Sequence, residues 1–156
     1  LYLLERFPGD GKWLGVAREI LRYAEDQFVC WEKPCAANGH GVNTPIGDPT
    51  IQQNRYDEWF YPCVLEQYVY YVPVDASNAK LIRTYLALYR AEKNPLDLAK
   101  AHALADALVR KQRPSGYIPT EYANAEKRDD PLKGWLNCSC LTLSALAELD
   151  AVTKGK

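Results

Sequence analysis

The sequence predicts an all-α protein whose helices stand in two layers, the outer ones half in water and the inner ones enclosed. Three observations predict this. Apolar residues recur at spacings of three and four over several long stretches, which marks helix faces. Two such stretches flank Asn94-Pro95 so closely that they form an antiparallel helical hairpin. Most of these stretches carry a charged face, whereas Gly134 to Ala147, GWLNCSCLTLSALA, carries no charge at all. A helix without a charged face is normally buried all round.

Taken in order, residues 1–11 read as the tail of a helix and a turn broken by Pro8 and Gly9. A helix follows from about Trp13 to Trp31. Trp13, Val16, Ala17, Ile20, Leu21, Ala24 and Phe28 form its apolar stripe, and Lys12, Arg18, Glu19, Arg22, Glu25 and Asp26 fall mainly on the other side. Residues 33–55 have no sustained period and are rich in Gly, Pro, Asn and Thr, so they read as a loop of the length that is often functional. A short helix is expected near Trp59, limited by Pro62 and Pro73. The run YVYYVPV that follows reads equally as strand or helix. The hairpin comprises a helix from about Ser77 to Lys93, with Leu81, Ile82, Tyr85, Leu86 and Tyr89 inward and Asp75 or Ser77 as cap. Its second helix runs from about Leu96 to Gln112, with Ala101, Leu104, Ala105 and Leu108 inward. Arg113 to Tyr122 reads as a turn and an extended piece, and the last helix spans about Trp135 to Thr153.

At 156 residues the chain is the size of one domain, read as residues 1–156. A net charge of −1 with scattered Lys and Arg lacks the basic face that nucleic acid requires. No apolar run approaches the length of a membrane span, so no membrane partner is expected. The sequence has no Met and opens mid-pattern, so it is expected to be a piece of a longer protein, with any targeting segment outside it. The five cysteines, Cys30, Cys35, Cys63, Cys138 and Cys140, are odd in number and irregular in spacing, which is no disulfide framework. Cys138 and Cys140 lie two apart on a helix and point to different faces, so no metal site is expected and the thiols read as small hydrophobes. A phosphate loop or dinucleotide fingerprint is absent, and no cofactor is expected.

The densest chemistry lies in Tyr56 to Asp75, which holds Tyr56, Trp59, Phe60, Tyr61, Tyr68, Tyr70 and Tyr71 with the acids Asp57, Glu58 and Glu66 and no Lys or Arg before Asp75. Aromatic faces stack on the flat apolar faces of sugars, and they also make ordinary cores. Glu66 sits among apolar residues, where a carboxylate needs a partner or a proton, and perturbed acids gather at sites. Asp57 and Glu58 read either as site acids or as charges favouring a helix start at Trp59. Trp59 and Trp135 read either as core or as sugar platforms, Tyr117 and Tyr122 flank a turn, and His40 lies between glycines in the long loop as a candidate substrate contact.

The hairpin ending in Gln112 and Gly116, then Tyr117-Ile118-Pro119-Thr120, then a charge-free helix opening Gly134-Trp135, resembles the six-hairpin glycosidase superfamily. The run Val64 to Ala91 is similar to carbohydrate-active proteins of that group. The resemblance covers roughly residues 13–150, about half a ring at the usual hairpin length. It implies antiparallel helical hairpins forming part of an (α/α)6 toroid. It also implies a sugar cleft where the loops into the inner helices gather, and an activity on an oligo- or polysaccharide. As a hydrolase, the protein would use acids drawn from Glu66, Asp57 and Glu58, with Glu121 a further one. His40, Trp59, Tyr68, Tyr117 and Trp135 would contact substrate. As a lyase it would use Tyr68 or His40 as base, with Asn137 on the uronate. A sugar epimerase would need opposed proton-transfer groups and ranks lower, since only His40 and His102 are present. The rival from another class is a non-catalytic helical module that binds a glycan or protein partner.

Overall fold

A computed structural model describes residues 2–7, 10–33, 59–66, 73–120 and 135–155, and these are mostly helical. In chain order they form α1 (Tyr2–Arg6), α2 (Gly11–Phe28), β1 (Val29–Cys30), β2 (Cys63–Val64), α3 (Asp75–Glu92), α4 (Pro95–Arg110) and α5 (Leu136–Thr153).

Local chemistry sets the ends. Asp10 is extended and its carboxylate accepts from the Lys12 amide at 3.0 Å, so α2 starts at Gly11 rather than Trp13. It stops at Phe28 rather than Trp31 because Val29 and Cys30 pair antiparallel with Val64 and Cys63. The hairpin turn joins three devices. Lys93 takes the left-handed conformation at φ 57° and donates to the Tyr89 carbonyl, the Asn94 side chain accepts from the Leu96 amide at 3.0 Å, and Pro95 opens α4. α4 ends at Arg110, before the expected Gln112.

Cross-links fix the helix directions. Arg18 of α2 binds Glu92 at the end of α3 and Asp97 at the start of α4. The bond to Asp97 holds the Arg18 guanidinium charged against the opposing pull of burial. Further along α2, Glu25 accepts from the Tyr85 hydroxyl and from Lys100. Burial, then the Glu25 carboxylate, pushes the Tyr85 hydroxyl well above the ordinary tyrosine range, so it stays a donor. Thr142 of α5 donates to Asp75, and Glu148 binds both Arg83 and Arg90. Near the end of α5, Thr153 meets His102 of α4. Hence α3 and α5 run one way, and α2 and α4 run against them.

The core centres on α3. Ala79, Ile82, Tyr85, Leu86 and Leu88 are fully buried, and Leu104 and Leu108 of α4 and Ala145 of α5 join them. The inward residues expected on both hairpin helices are buried, except that Tyr89 is half-buried.

Two expectations are corrected. The residues from Trp59 to Glu66 hold no helix; Cys63 and Val64 form a strand there instead. Nor is the charge-free helix enclosed. Cys138, Thr142, Ala145 and Leu149 of α5 are buried, but Leu136 is 78% and Leu143 70% exposed. Positions 136, 140, 143 and 147 form the opposite stripe and all face out. Similarly, Val16 and Ile20, at one edge of the α2 stripe, are exposed.

Candidate functional site

The N-terminal ends of α3 and α5 share one end of the helical layer with the C-terminal end of α4. Hydrogen bonds tie four segments together there. The Asp75 amide donates to the Thr120 carbonyl at 2.9 Å, and the Trp135 amide to the Thr120 hydroxyl at 3.2 Å. The Val64 amide donates to the Asn78 side chain at 2.7 Å, and Leu65 bridges to Pro73. On the other side, the Leu65 amide donates to the Phe28 carbonyl at 2.9 Å, bringing the end of α2 to the same place. The stretches that enter α3 and α5, and the one that leaves α2, therefore open at a single end.

Asp75 is the centre of this polar knot. It is fully buried, and one carboxylate oxygen accepts from the Ala76 amide at 2.8 Å while the other accepts from the Thr142 hydroxyl at 3.0 Å. Burial pushes its pKa up, against the Lys111 charge, the Thr142 bond and the helix amides, which favour the anion. With both oxygens engaged, Asp75 fastens α5 to α3; it is not placed to exchange protons with a substrate. Lys111, buried at the end of α4, acts electrostatically on Asp75 and on Cys63. Burial pushes the Cys138 thiol up, and the neighbouring Asp75 charge adds to it.

Three of the residues singled out in the sequence stand at this end. Glu66 is half-buried just beyond the Leu65–Pro73 bridge. Tyr117 is half-buried in a turn closed by the Gly116 amide on the Arg113 carbonyl and the Arg113 amide on the Tyr117 carbonyl, both 2.8 Å. Gly116 has φ 87° there, which favours glycine. Trp135 precedes α5 and is 68% exposed. Trp59, by contrast, is only 6% exposed and packs in the core with its ring 6.3 Å from that of Tyr61, the core alternative of its two readings. Asp57, Glu58, His40 and Tyr68 lie outside the described residues, as do Glu121 and Tyr122. Asn137 is exposed on the first turn of α5, and His102 lies at the opposite end of the layer, against Thr153.

Sequence reasoning missed the burial of Lys111, the bond from Thr142 to Asp75 and the pairing of Cys30 with Cys63. A lysine after Arg110 reads as a solvated helix end, and nothing local distinguishes it. A groove of about 200 Å³ lies between α2 and α3, lined by Ala24, Phe28, Leu81, Thr84 and Lys80 among others. No acid is among the described residues that line it. Among the described residues there is no group of three His, Cys, Asp or Glu able to hold a metal, and no helix is long and apolar enough to cross a membrane.

No protein-family model, curated protein or solved structure matches the chain.

Proposed function

We propose that this chain forms part of an α/α toroid in a carbohydrate-active enzyme that cleaves glycosidic bonds. One observation carries the reading: the stretches leading into α3 and α5 open at one end of the layer, where the exposed Trp135 stands with Glu66 and Tyr117. A bare indole offers flat apolar surface to a sugar ring. Glu66 supplies a carboxyl group to protonate the leaving oxygen, and Asp57 or Glu58 supplies the second carboxylate. The parallel course of α3 and α5, with α2 and α4 running against them, supports the reading of stacked helical hairpins.

The alternative is a non-catalytic module that binds a glycan or protein partner. The uncovered apolar stripe of α5, Leu136, Cys140, Leu143 and Ala147, favours it, because such faces mark contact surfaces.

The test is a panel of neutral and uronate-containing oligosaccharides, with the intact chain, Trp135→Ala and Glu66→Gln. Binding is followed by tryptophan fluorescence and cleavage by new reducing ends. Cleavage in the parent that is lost in Glu66→Gln while binding persists supports the enzyme. Sugar binding abolished in Trp135→Ala, with no turnover in any chain, supports the module instead. No binding to any sugar overturns both glycan readings and leaves a protein partner.

A further inference from the structure

The two short strands place Cys30 directly opposite Cys63. Opposed residues of an antiparallel ladder alternate between hydrogen-bonded and non-hydrogen-bonded pairs. The Leu65 amide bonds to the Phe28 carbonyl two pairs back, so Cys30 and Cys63 form a hydrogen-bonded pair, with Cα atoms about 5.5 Å apart. That separation is the commonest one for a disulfide, at about 5.5–6 Å. Both cysteines are free thiols. Their side chains are near enough to shift each other's ionisation. Closing the bond needs side-chain rotation and a small approach of the two strands, which brings the Cβ atoms to about 3.8 Å.

The members of the pair are not equivalent. Cys63 is fully buried, and burial, then its bond to Cys30, pushes its thiol well up. Cys30 is 7% exposed, and the hydrogen bond from Cys63 pulls its thiol down. The thiolate is the nucleophile and solvent reaches Cys30 but not Cys63, so Cys30 is the attacking sulfur and Cys63 the resolving one.

We propose that Cys30 and Cys63 are a redox-active pair that a small disulfide oxidant converts to a cross-strand disulfide. The Cys30 thiolate attacks one sulfur of the oxidant and expels the other as a thiolate, leaving a mixed disulfide. Cys63 then passes its proton to the expelled thiolate and attacks the Cys30 sulfur, and the second thiolate leaves and takes a proton from solvent. In total, two protein thiols are oxidised to one disulfide and one oxidant disulfide is reduced to two thiols. The bond staples β1 to β2, three residues before Glu66. It is independent of any carbohydrate activity.

The test uses the full chain in mixtures of reduced and oxidised glutathione, with peptide mass mapping after alkylation. The expected product is a Cys30–Cys63 linked peptide lacking two hydrogens, reversed by dithiothreitol. A chain carrying Cys35→Ser, Cys138→Ser and Cys140→Ser forms the same link, and adding Cys30→Ser abolishes it. Oxidation of that chain raises the Tm by ~10 °C, since a ring of this length removes much unfolded-state freedom. The folded chain forms the link at least ~100-fold more favourably than the same chain in urea, the gain expected of a preset pair. Glutathione held on Cys30 without the internal link overturns the resolving role of Cys63. An absence of the link across the whole redox range in the unmodified chain, or equal closure in urea, overturns the proposal, and neither result depends on any variant folding.

Discussion

α3 and α5 run side by side in the same direction and are joined at Asp75–Thr142 and at Arg83, Arg90 and Glu148. They invert what their sequences suggest. α3 carries Asp75, Lys80, Arg83, Arg90 and Glu92, yet it is the buried centre of the layer. α5 is free of charge until Glu148, yet half of it faces out. The reason is neighbours. α3 is linked to α2 through Tyr85, to β2 through Asn78 and to α5 through Asp75, and its charges sit at its ends or project beyond the packed region. Among the described residues, α5 rests on α3 and α4 with the stripe of Cys138, Thr142, Ala145 and Leu149. An apolar composition states what a helix tolerates; the elements packed on it decide what it receives.

The sharpest way to break this contrast is Tyr85→Ala. The ring is fully buried and the hydroxyl reaches Glu25 on α2. Loss of ring, packing and bond is expected to lower unfolding stability by about 4 kcal/mol in a denaturant titration. Tyr85→Phe keeps the ring and loses only the bond, at about 1–2 kcal/mol. A smaller loss for the alanine than for a change on the bare stripe of α5 would sink the idea that α3 is the centre.

Asp75→Ala comes next. It removes the first-turn acceptor of α3, orphans the Thr142 hydroxyl and takes a negative charge from beside the buried Lys111. Together these are expected to cost about 3 kcal/mol. Thr142→Val, which removes only the bond between the helices, costs about 1 kcal/mol. If the two variants lose the same amount, Asp75 does no more than hold Thr142.

The other tie between these helices makes a pH test. Burial works to raise the Glu148 pKa, but Arg90 and Arg83 outweigh it and hold the carboxyl below its ordinary value of 4.5. The folded state therefore binds the proton less tightly than the unfolded state. The stabilisation is complete above the unfolded value and is lost as pH falls through the lower folded value. Glu148→Gln is expected to cost about 1 kcal/mol at neutral pH, because both arginines are exposed and screened. The gap between parent and variant should close in acid. Asp75 acts in the opposite sense: burial raises its pKa, so its protonation favours the folded state as pH falls from that raised value toward the unfolded one. A gap that stays constant down to strong acid would show that the arginine pair does not set the Glu148 titration.

These contrasts mark where the sequence was readable. The hairpin was, because Asn94-Pro95 and the stripes on either side are local signals, and its inward residues are the buried ones. The turn at Gly116 and the start of α5 were also close to expectation. The strands were not, since a two-residue ladder such as Val29–Cys30 with Cys63–Val64 joins residues far apart in sequence and leaves no period. The same holds for the candidate site. Glu66, Tyr117 and Trp135 were visible as residue types. Their shared end, and the Asp75 and Lys111 burial behind it, comes from hydrogen bonds between segments. Trp59 and Trp135 show the limit most directly, since no feature of either residue's neighbours in the chain says which one is core and which is bare.

The smallest expected effect belongs to the bare stripe itself. Leu149 and Leu143 lie on the same helix, six positions apart, with Leu149 buried and Leu143 70% exposed. Leu149→Ala is expected to cost about 2–3 kcal/mol. Leu143→Glu places a charge where the leucine meets solvent, so stability should change by no more than about 0.5 kcal/mol. Paired denaturant titrations of the two variants make the comparison within one helix, where propensity and position differ little. A loss above about 2 kcal/mol for Leu143→Glu is the size expected when a charge enters a packed interior. It would mean that the stripe is covered in the folded chain, and it would return α5 to the enclosed layer that its composition suggests.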